Sequence, residues 1–271
     1  MLGSVSVRSR FEKEVTIPDR EIYPGAPLQF VAFEVRVPQA PKLSTLEATT
    51  QIYEALRDLV PIIPGSGPAA LELAGPQGAA ISFGPAASQT KMMDRARTVS
   101  VTVAPTALIV ETTAYSHFEE FLEVVRRALD AADKVVALAG IQRVGLRYID
   151  EIRVEGVTAP VDWDGYVNAG LLWATALDPS LRPQRTEGLA EFEMEGGYRT
   201  VMRFGAMSGR VVDPGGPLRV RRTGDGPFFL IDLDSFWLPT NEDIPEFSVQ
   251  RVLDTCTELR KPIRGLFEAS I

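Results

Sequence analysis

Arginine is the residue type of this chain best suited to binding an anion, and several arginines gather in its last third. Arginine binds carboxylates and phosphates through paired hydrogen bonds, so this group is the best candidate for contacting an anionic ligand, RNA or an acidic protein surface. Pairing across strands with a preceding row of glutamates is an equally good interpretation. The arginines are Arg203, Arg210, Arg219, Arg221 and Arg222, and the glutamates are Glu191, Glu193 and Glu195.

Two aspartates form a second candidate group. Asp232 and Asp234 alternate with apolar residues, so both carboxylates point to the same side of a predicted strand. Two carboxylates in this arrangement can share a hard cation such as magnesium. A solvated sheet face explains the same pattern without a metal, and we favour that interpretation for the aspartates and for the glutamate row.

The chain has one histidine and one cysteine, too few for a zinc site or an internal disulfide. His117 follows Ser116 in the first turn of a predicted helix, where the helix dipole favours the neutral imidazole that a general base requires. No catalytic partner is indicated nearby, so we favour a surface residue without a role. Cys256 lies on the apolar side of a predicted helix and is expected to pack as a small hydrophobic residue.

Common nucleotide-binding and hydrolase motifs do not occur in the sequence. It contains no phosphate-binding loop ending in Lys-Ser or Lys-Thr, no G-x-G-x-x-G after a strand and no G-x-S-x-G. We therefore expect no cofactor and favour a protein without enzymatic activity.

Four helices are predicted from caps and helical periodicity. Ser44 with Glu47, and Ser116 with Glu119, form capping boxes before the first two helices. Asp162 is the expected cap of a third helix that ends before Pro179. A fourth begins near Ser248 and should kink at Pro262.

Between the helices the apolar period changes to two, which indicates strands. Gly75 to Gly78 and Gly196-Gly197 are predicted hairpin turns. The predicted strands are 28–37, 97–103, 107–113, 142–154, 189–195, 198–209 and 228–237.

The element order strand, helix, strands, helix occurs twice. We therefore predict an α+β fold of antiparallel sheets with covering helices, built as two tandem halves, residues 1–140 and 141–271, in one compact unit.

Composition and charge restrict the partners. The net charge is −8, with 23 Arg against 5 Lys, which disfavours general attraction to nucleic acid but leaves a local basic patch possible. No apolar run approaches the roughly 20 residues of a membrane span, and no signal peptide is recognised. We expect a cytoplasmic protein without a membrane partner.

Several strings resemble a sporadically distributed family of uncharacterised bacterial proteins of about this length, and the match spans nearly the whole chain. The most specific string is Arg143-Val-Gly-Leu-Arg147-Tyr-Ile-Asp150-Glu-Ile152, where the family often has Asn in place of Asp150. The resemblance implies a fold and a bacterial cytoplasmic origin, and it implies no activity or catalytic residue. Weaker matches are Tyr23 to Leu28, Phe33 to Arg36, Tyr115 to Phe121, Leu230 to Asp234 and Ile263 to Phe267.

Arg147 in this string has two interpretations. It can form a buried network with Asp232 or Asp234 that holds two strands in register, or it can bind an anionic ligand. We favour the structural network because the sequence indicates no cluster of polar residues around it.

The leading functional hypothesis is a non-enzymatic binding or adaptor protein that recognises a partner protein. The acidic surface and the segment from Arg203 to Arg222 are its candidate contacts. One alternative is an RNA-binding or RNA-processing protein that uses this arginine segment and His117. Another is a magnesium-dependent enzyme that uses Asp232 and Asp234.

Overall fold

A computed structural model describes residues 27–64, 89–178, 180–212, 216–220, 224–240 and 243–271. Within these ranges, eight strands form one antiparallel sheet and three α-helices pack on one of its faces. The predicted α+β class is confirmed, although a single continuous sheet replaces the several sheets expected. The strands are β1 (Leu28–Arg36), β2 (Thr90–Met93), β3 (Val99–Ala104), β4 (Ala107–Thr112), β5 (Arg143–Ile152), β6 (Gly188–Met194), β7 (Tyr198–Gly209) and β8 (Gly226–Trp237), and the helices are α1 (Leu46–Leu56), α2 (Phe118–Val136) and α3 (Val249–Ser270).

The strand order across the sheet is β2-β3-β4-β1-β5-β8-β7-β6. The order is symmetric about its centre. β1 and β5, β4 and β8, β3 and β7, and β2 and β6 occupy equivalent positions on the two sides. β1 and β5 pair antiparallel at the centre, with Phe33 opposite Leu146. The division into halves at residue 140 stays a prediction, because a symmetric strand order does not by itself establish a repeat.

Two of the predicted helix starts shift by one residue. Thr45, not Ser44, caps α1 by accepting a hydrogen bond from the backbone N–H of Ala48, because residues up to Ser44 form a short 3-10 turn. His117, not Ser116, is the N-cap of α2. Ser248 caps α3 as predicted, and the helix continues through Pro262 to its end.

The predicted third α-helix is wrong. Residues 160–163 and 169–176 form two separate 3-10 helices instead. Gly165 between them has a φ of +81°, which an α-helix does not accommodate, and the side chain of Asn168 accepts the N–H of Gly170 to start the second one. Only some of the apolar side chains in this stretch reach the core, among them the buried Trp163.

The sheet has a hydrophobic cluster on each face. On the helix face, Phe33 and Leu146 pack in one cluster with Val125 of α2 and Leu259 of α3. The opposite face is here called the second face. There the loop between β7 and β8 adds Val211, Val212 and Leu218 to a smaller cluster that contains Phe30, Ile149 and Leu230.

The β7–β8 loop is anchored at the far side of the second face. The backbone N–H of Arg219 donates to the carbonyl of Arg97, and the hydroxyl of Thr113 donates to the carbonyl of Arg219, both at 2.6 Å. Arg97 lies just before β3 and Thr113 just after β4, so this loop reaches across the second face from β7 and β8 to the strands on the other side of the central pair.

The hairpin predicted at Gly196-Gly197 is confirmed and joins β6 to β7. Both glycines have positive φ, +77° and +86°. The carbonyl of Gly197 accepts the N–H of Leu238, and that of Gly196 accepts the indole N–H of Trp237, so the turn is tied to the end of β8. The hairpin predicted at Gly75 to Gly78 lies outside the described residues.

The two turn glycines should respond differently to alanine. A Cβ at position 197 would lie 2.1 Å from the carbonyl oxygen of Leu238, whereas at position 196 its nearest neighbour is the Tyr198 ring at 3.6 Å. We expect Gly197→Ala to lower the free energy of unfolding by about 3 kcal/mol and Gly196→Ala by about 1 kcal/mol, measured by urea denaturation. Equal costs for the two variants would contradict the close packing of this turn.

Candidate functional site

Arg147 forms a buried ion pair on the second face. Its Nε and Nη2 donate to the two carboxylate oxygens of Asp232 at 2.7 and 2.6 Å. The two residues are 7% and 4% exposed. Arg147 stands directly opposite Asp234 in the ladder between β5 and β8, so its contact with Asp232 is diagonal.

Further ion pairs extend this contact on both sides. Arg143 Nη1 lies 3.0 Å from Glu34 Oε1, and Arg143 Nη2 lies 3.4 Å from Asp234 Oδ1. Arg203 Nη1 lies 3.6 Å from Asp232 Oδ2 and has no hydrogen-bond partner. We call these groups the arginine network, whose members are Arg36, Arg143, Arg147, Arg203, Glu34, Asp232 and Asp234.

The electrostatics of the network suit a structural role. Burial lowers the pKa of Arg147, but the hydrogen bonds and charge of Asp232 more than compensate, so its pKa is raised and the guanidinium stays charged. Burial also raises the pKa of Asp234, with Arg143 and Arg147 opposing that shift. The network joins β1, β5, β8 and β7. An anionic ligand at Arg147 would have to displace the carboxylate of Asp232, which already binds the guanidinium through two hydrogen bonds.

The magnesium hypothesis meets the same obstacle. Asp232 and Asp234 do lie on the same face, as the alternation predicts, but arginines contact both carboxylates. Among the residues that the structure describes, no group of three or more His, Cys, Asp or Glu side chains could hold a metal ion.

The other predicted arginines do not form one patch with the network. Arg210 lies just after β7, where its Nε is 3.0 Å from Asp225 Oδ1. The exposed Arg219 lies on the β7–β8 loop, beside the turn between β2 and β3. Arg221 and Arg222 fall outside the described residues. The glutamate row contacts Arg199, with Glu193 at 3.1 Å and Glu191 at 3.7 Å, rather than the arginines named from the sequence.

Sequence reasoning missed a second buried pair, Lys91 with Glu111. Lys91 Nζ lies 2.7 Å from Glu111 Oε2, which also accepts the hydroxyl of Ser100 at 2.8 Å. All three side chains are buried on β2, β3 and β4. Lys91 is on a four-residue strand that was not predicted, so no sequence signal placed it opposite a carboxylate.

Cys256 is fully buried in the helix-face cluster, as its position on the apolar side of a helix predicts. Burial raises the pKa of the thiol to about 12. We expect less than one tenth of the protein to react with a thiol reagent at pH 8 under native conditions, and full reaction in denaturant. Reaction of the native protein at the rate of a free thiol would contradict this burial.

Exposed apolar side chains concentrate in one part of the chain, which we call the apolar segment, residues 161–192. Of the eleven large apolar residues exposed in the described ranges, seven belong to it. Sequence reasoning did not identify this exposed segment, because it predicted one amphipathic α-helix from Asp162 to Pro179 with an apolar side that would face the core. The seven are Val161, Tyr166, Trp173, Leu177, Leu181, Leu189 and Phe192, with exposures from 40% to 73%.

The apolar segment ends in β6, an edge strand of the sheet. At the opposite edge, the backbone of Ile62 pairs with Met93 of β2 through two hydrogen bonds. β6 pairs with β7 on its inner side, and no other described segment pairs with its outer side. Within the part of the chain that the structure describes, one edge of the sheet is therefore bridged at Met93, while the other edge presents backbone groups without a strand partner.

The described helices include none with the length and apolar composition needed to cross a bilayer. No family model matches the chain, and no curated protein matches it.

Proposed function

We propose that this chain is a non-enzymatic binding or adaptor protein that recognises a partner protein in the bacterial cytoplasm. The observation that supports this proposal best is the apolar segment, because large apolar side chains exposed at this density in one stretch of chain are typical of segments that another protein contacts.

The residue types in the apolar segment suit a protein interface. Trp173 is 55% exposed, although it belongs to the 3-10 helix 169–176 that packs on β7, and Leu177, which directly follows this helix, is 73% exposed. Tryptophan contributes more binding energy than most residues when a partner buries it, and tyrosine behaves similarly. Tyr166 adds a third large side chain, 51% exposed.

The buried ionisable groups support binding rather than catalysis. Arg147 with Asp232, and Lys91 with Glu111, are already paired inside the sheet and maintain its register. A general base or nucleophile needs access to its substrate, which buried and paired groups do not have.

The charge of the chain favours a protein partner over RNA. The chain carries a net charge of −8, and the predicted arginines Arg203 and Arg210 each contact an aspartate. Phosphate binding would have to compete with these carboxylates and overcome repulsion from the rest of the surface.

An affinity capture from the source cell's lysate, with and without nuclease, tests the proposal. The wild type should retain a stoichiometric protein that survives nuclease, and Trp173→Ser with Leu177→Ser should lose most of it. Leu46→Ser with Ile244→Ser is the matched control, because both residues are exposed but lie outside the apolar segment. Melting temperatures verify folding. Capture of RNA, or of proteins that nuclease removes, would contradict the proposal.

A further inference from the structure

The hydrogen-bond alternation of β6 shows which residues present free backbone groups. The N–H of Thr186, just before β6, donates to the carbonyl of Ala206 at 3.1 Å. In an antiparallel ladder such pairs recur every second residue, so Gly188, Ala190 and Phe192 face β7. Leu189, Glu191 and Glu193 therefore direct their N–H and C=O groups away from the sheet.

The same alternation distributes the side chains of β6. Leu189 stands opposite Arg203, so the residues with outward backbone groups have their side chains on the second face. Ala190 stands opposite Met202, a member of the helix-face cluster, so Ala190 and Phe192 lie on that face. An added strand would meet carboxylates on one face and apolar side chains on the other.

We infer that β6 binds an extended segment of the partner protein as a ninth, antiparallel strand, and that this segment alternates basic and apolar residues. This inference rests on the proposed partner-binding function and specifies its site. Edge-strand addition takes affinity from main-chain hydrogen bonds and specificity from alternate side chains. The basic residues of the segment lie opposite Glu191 and Glu193, and its apolar residues lie beside Ala190 and Phe192.

Charge favours a basic segment over a second copy of this chain. Arg199 is the described cation that contacts Glu191 and Glu193, at 3.7 and 3.1 Å, and Glu195 follows in the turn. The charge of this one arginine is therefore shared between two exposed carboxylates. Antiparallel pairing of two β6 strands would set these glutamates against their own copies, and like charges opposite each other are destabilising.

The surface continues beyond the end of β6. An open depression of about 710 Å³ lies beside the Gly196-Gly197 turn, lined among others by Glu193, Glu195 and Thr240. A strand paired along β6 would direct one end into this depression, where a further basic side chain would meet Glu195.

The test uses a labelled peptide, acetyl-Val-Lys-Val-Lys-Val-Lys-Val-amide, with binding followed by fluorescence anisotropy at low salt. The lysine N–H groups would face β6 and the valine N–H groups would face away. N-methylation of the lysines should weaken binding at least tenfold, and N-methylation of the valines should change it less than twofold. Binding that survives lysine N-methylation would overturn strand addition, as would failure of the unmodified peptide to bind.

Protein variants test the charge pairing. Glu191→Gln with Glu193→Gln should weaken peptide binding at least tenfold, whereas Glu47→Gln with Glu155→Gln, an exposed pair outside β6, should not. Hydrogen exchange should show new protection at Leu189, Glu191 and Glu193. Equal effects of the two double variants, or self-association through β6, would overturn the inference.

The experiments distinguish failure of the proposed β6 site from failure of the proposed partner-binding function. If the Glu191→Gln, Glu193→Gln variant still captures the natural protein partner at full stoichiometry while Trp173→Ser with Leu177→Ser does not, the β6 site is wrong and partner recognition stands. If the wild type captures no protein partner, the proposed function itself fails.

Discussion

Asp232→Ala is expected to lower the free energy of unfolding by about 3–5 kcal/mol, because it leaves the buried guanidinium of Arg147 without its partner. Asp232 accepts two hydrogen bonds from Arg147, and both side chains are less than 10% exposed. Arg203 would lose its nearest carboxylate as well. Chemical denaturation of the wild type and the variant measures this cost.

Asp225→Ala is the matched control for this variant. Asp225 pairs with Arg210, but its side chain is 80% exposed, so we expect a cost below about 0.5 kcal/mol. Replacing both members of the buried pair, Arg147→Met with Asp232→Leu, should recover much of the lost stability because no charge remains unpaired. A cost for Asp232→Ala equal to that of the control would contradict the structural role of the network.

Asp150→Asn is expected to stabilise the protein increasingly as the pH rises from 4 to 8. Asp150 is buried on β5 between Leu28 and Ile231, and burial, together with the charge of Asp232, raises its pKa from 3.8 to about 8. Burial and the charge of Asp232 both act in the same direction, and no cation among the described residues opposes them.

The sign of this effect follows from the two pKa values. Between pH 4 and pH 8 the unfolded state releases the proton of Asp150 while the folded state keeps it, so the aspartate destabilises the fold more at each higher pH. The difference in unfolding free energy between variant and wild type should grow by about 5 kcal/mol over this range. It should be smallest at pH 4, where the unfolded state has released only about half of its Asp150 proton and the folded state keeps it.

Denaturation of both proteins at several pH values measures this difference. Asp254→Asn serves as the control because Asp254 is exposed on α3, and its difference from wild type should change little with pH. A constant difference between Asp150→Asn and wild type would show that the carboxylate is ionised in the folded protein.

Much of the fold could be predicted because long elements have clear periodicity. α2, α3 and β7 each span twelve residues or more, enough to show a repeated apolar face. β2 has only four residues, Thr-Lys-Met-Met, too few to show an alternation. The predicted third α-helix was based on apolar residues near helical spacing. The segment instead forms two 3-10 helices, which have three residues per turn, and Gly165 with its positive φ separates them.

The candidate site was only partly predictable. Alternation along β5 and β8 placed Arg147, Asp232 and Asp234 on one face. That Arg147 binds Asp232, and not Asp234 directly opposite, depends on the strand register and on the length of the arginine side chain. The exposure of Trp173 and Leu177 could not be predicted, because their apolar character suggested the core. The free edge of β6 required the strand order, which sequence periodicity does not determine.

Site-specific photo-crosslinking in the source cell tests the central claim most directly. A benzophenone amino acid at position 173, in the apolar segment, is compared with the same amino acid at the control position 46, which is exposed but lies outside that segment. Partner recognition predicts one dominant protein adduct at position 173, identified by mass spectrometry, and none at position 46. Adducts to RNA, or the same weak background at both positions, would contradict it.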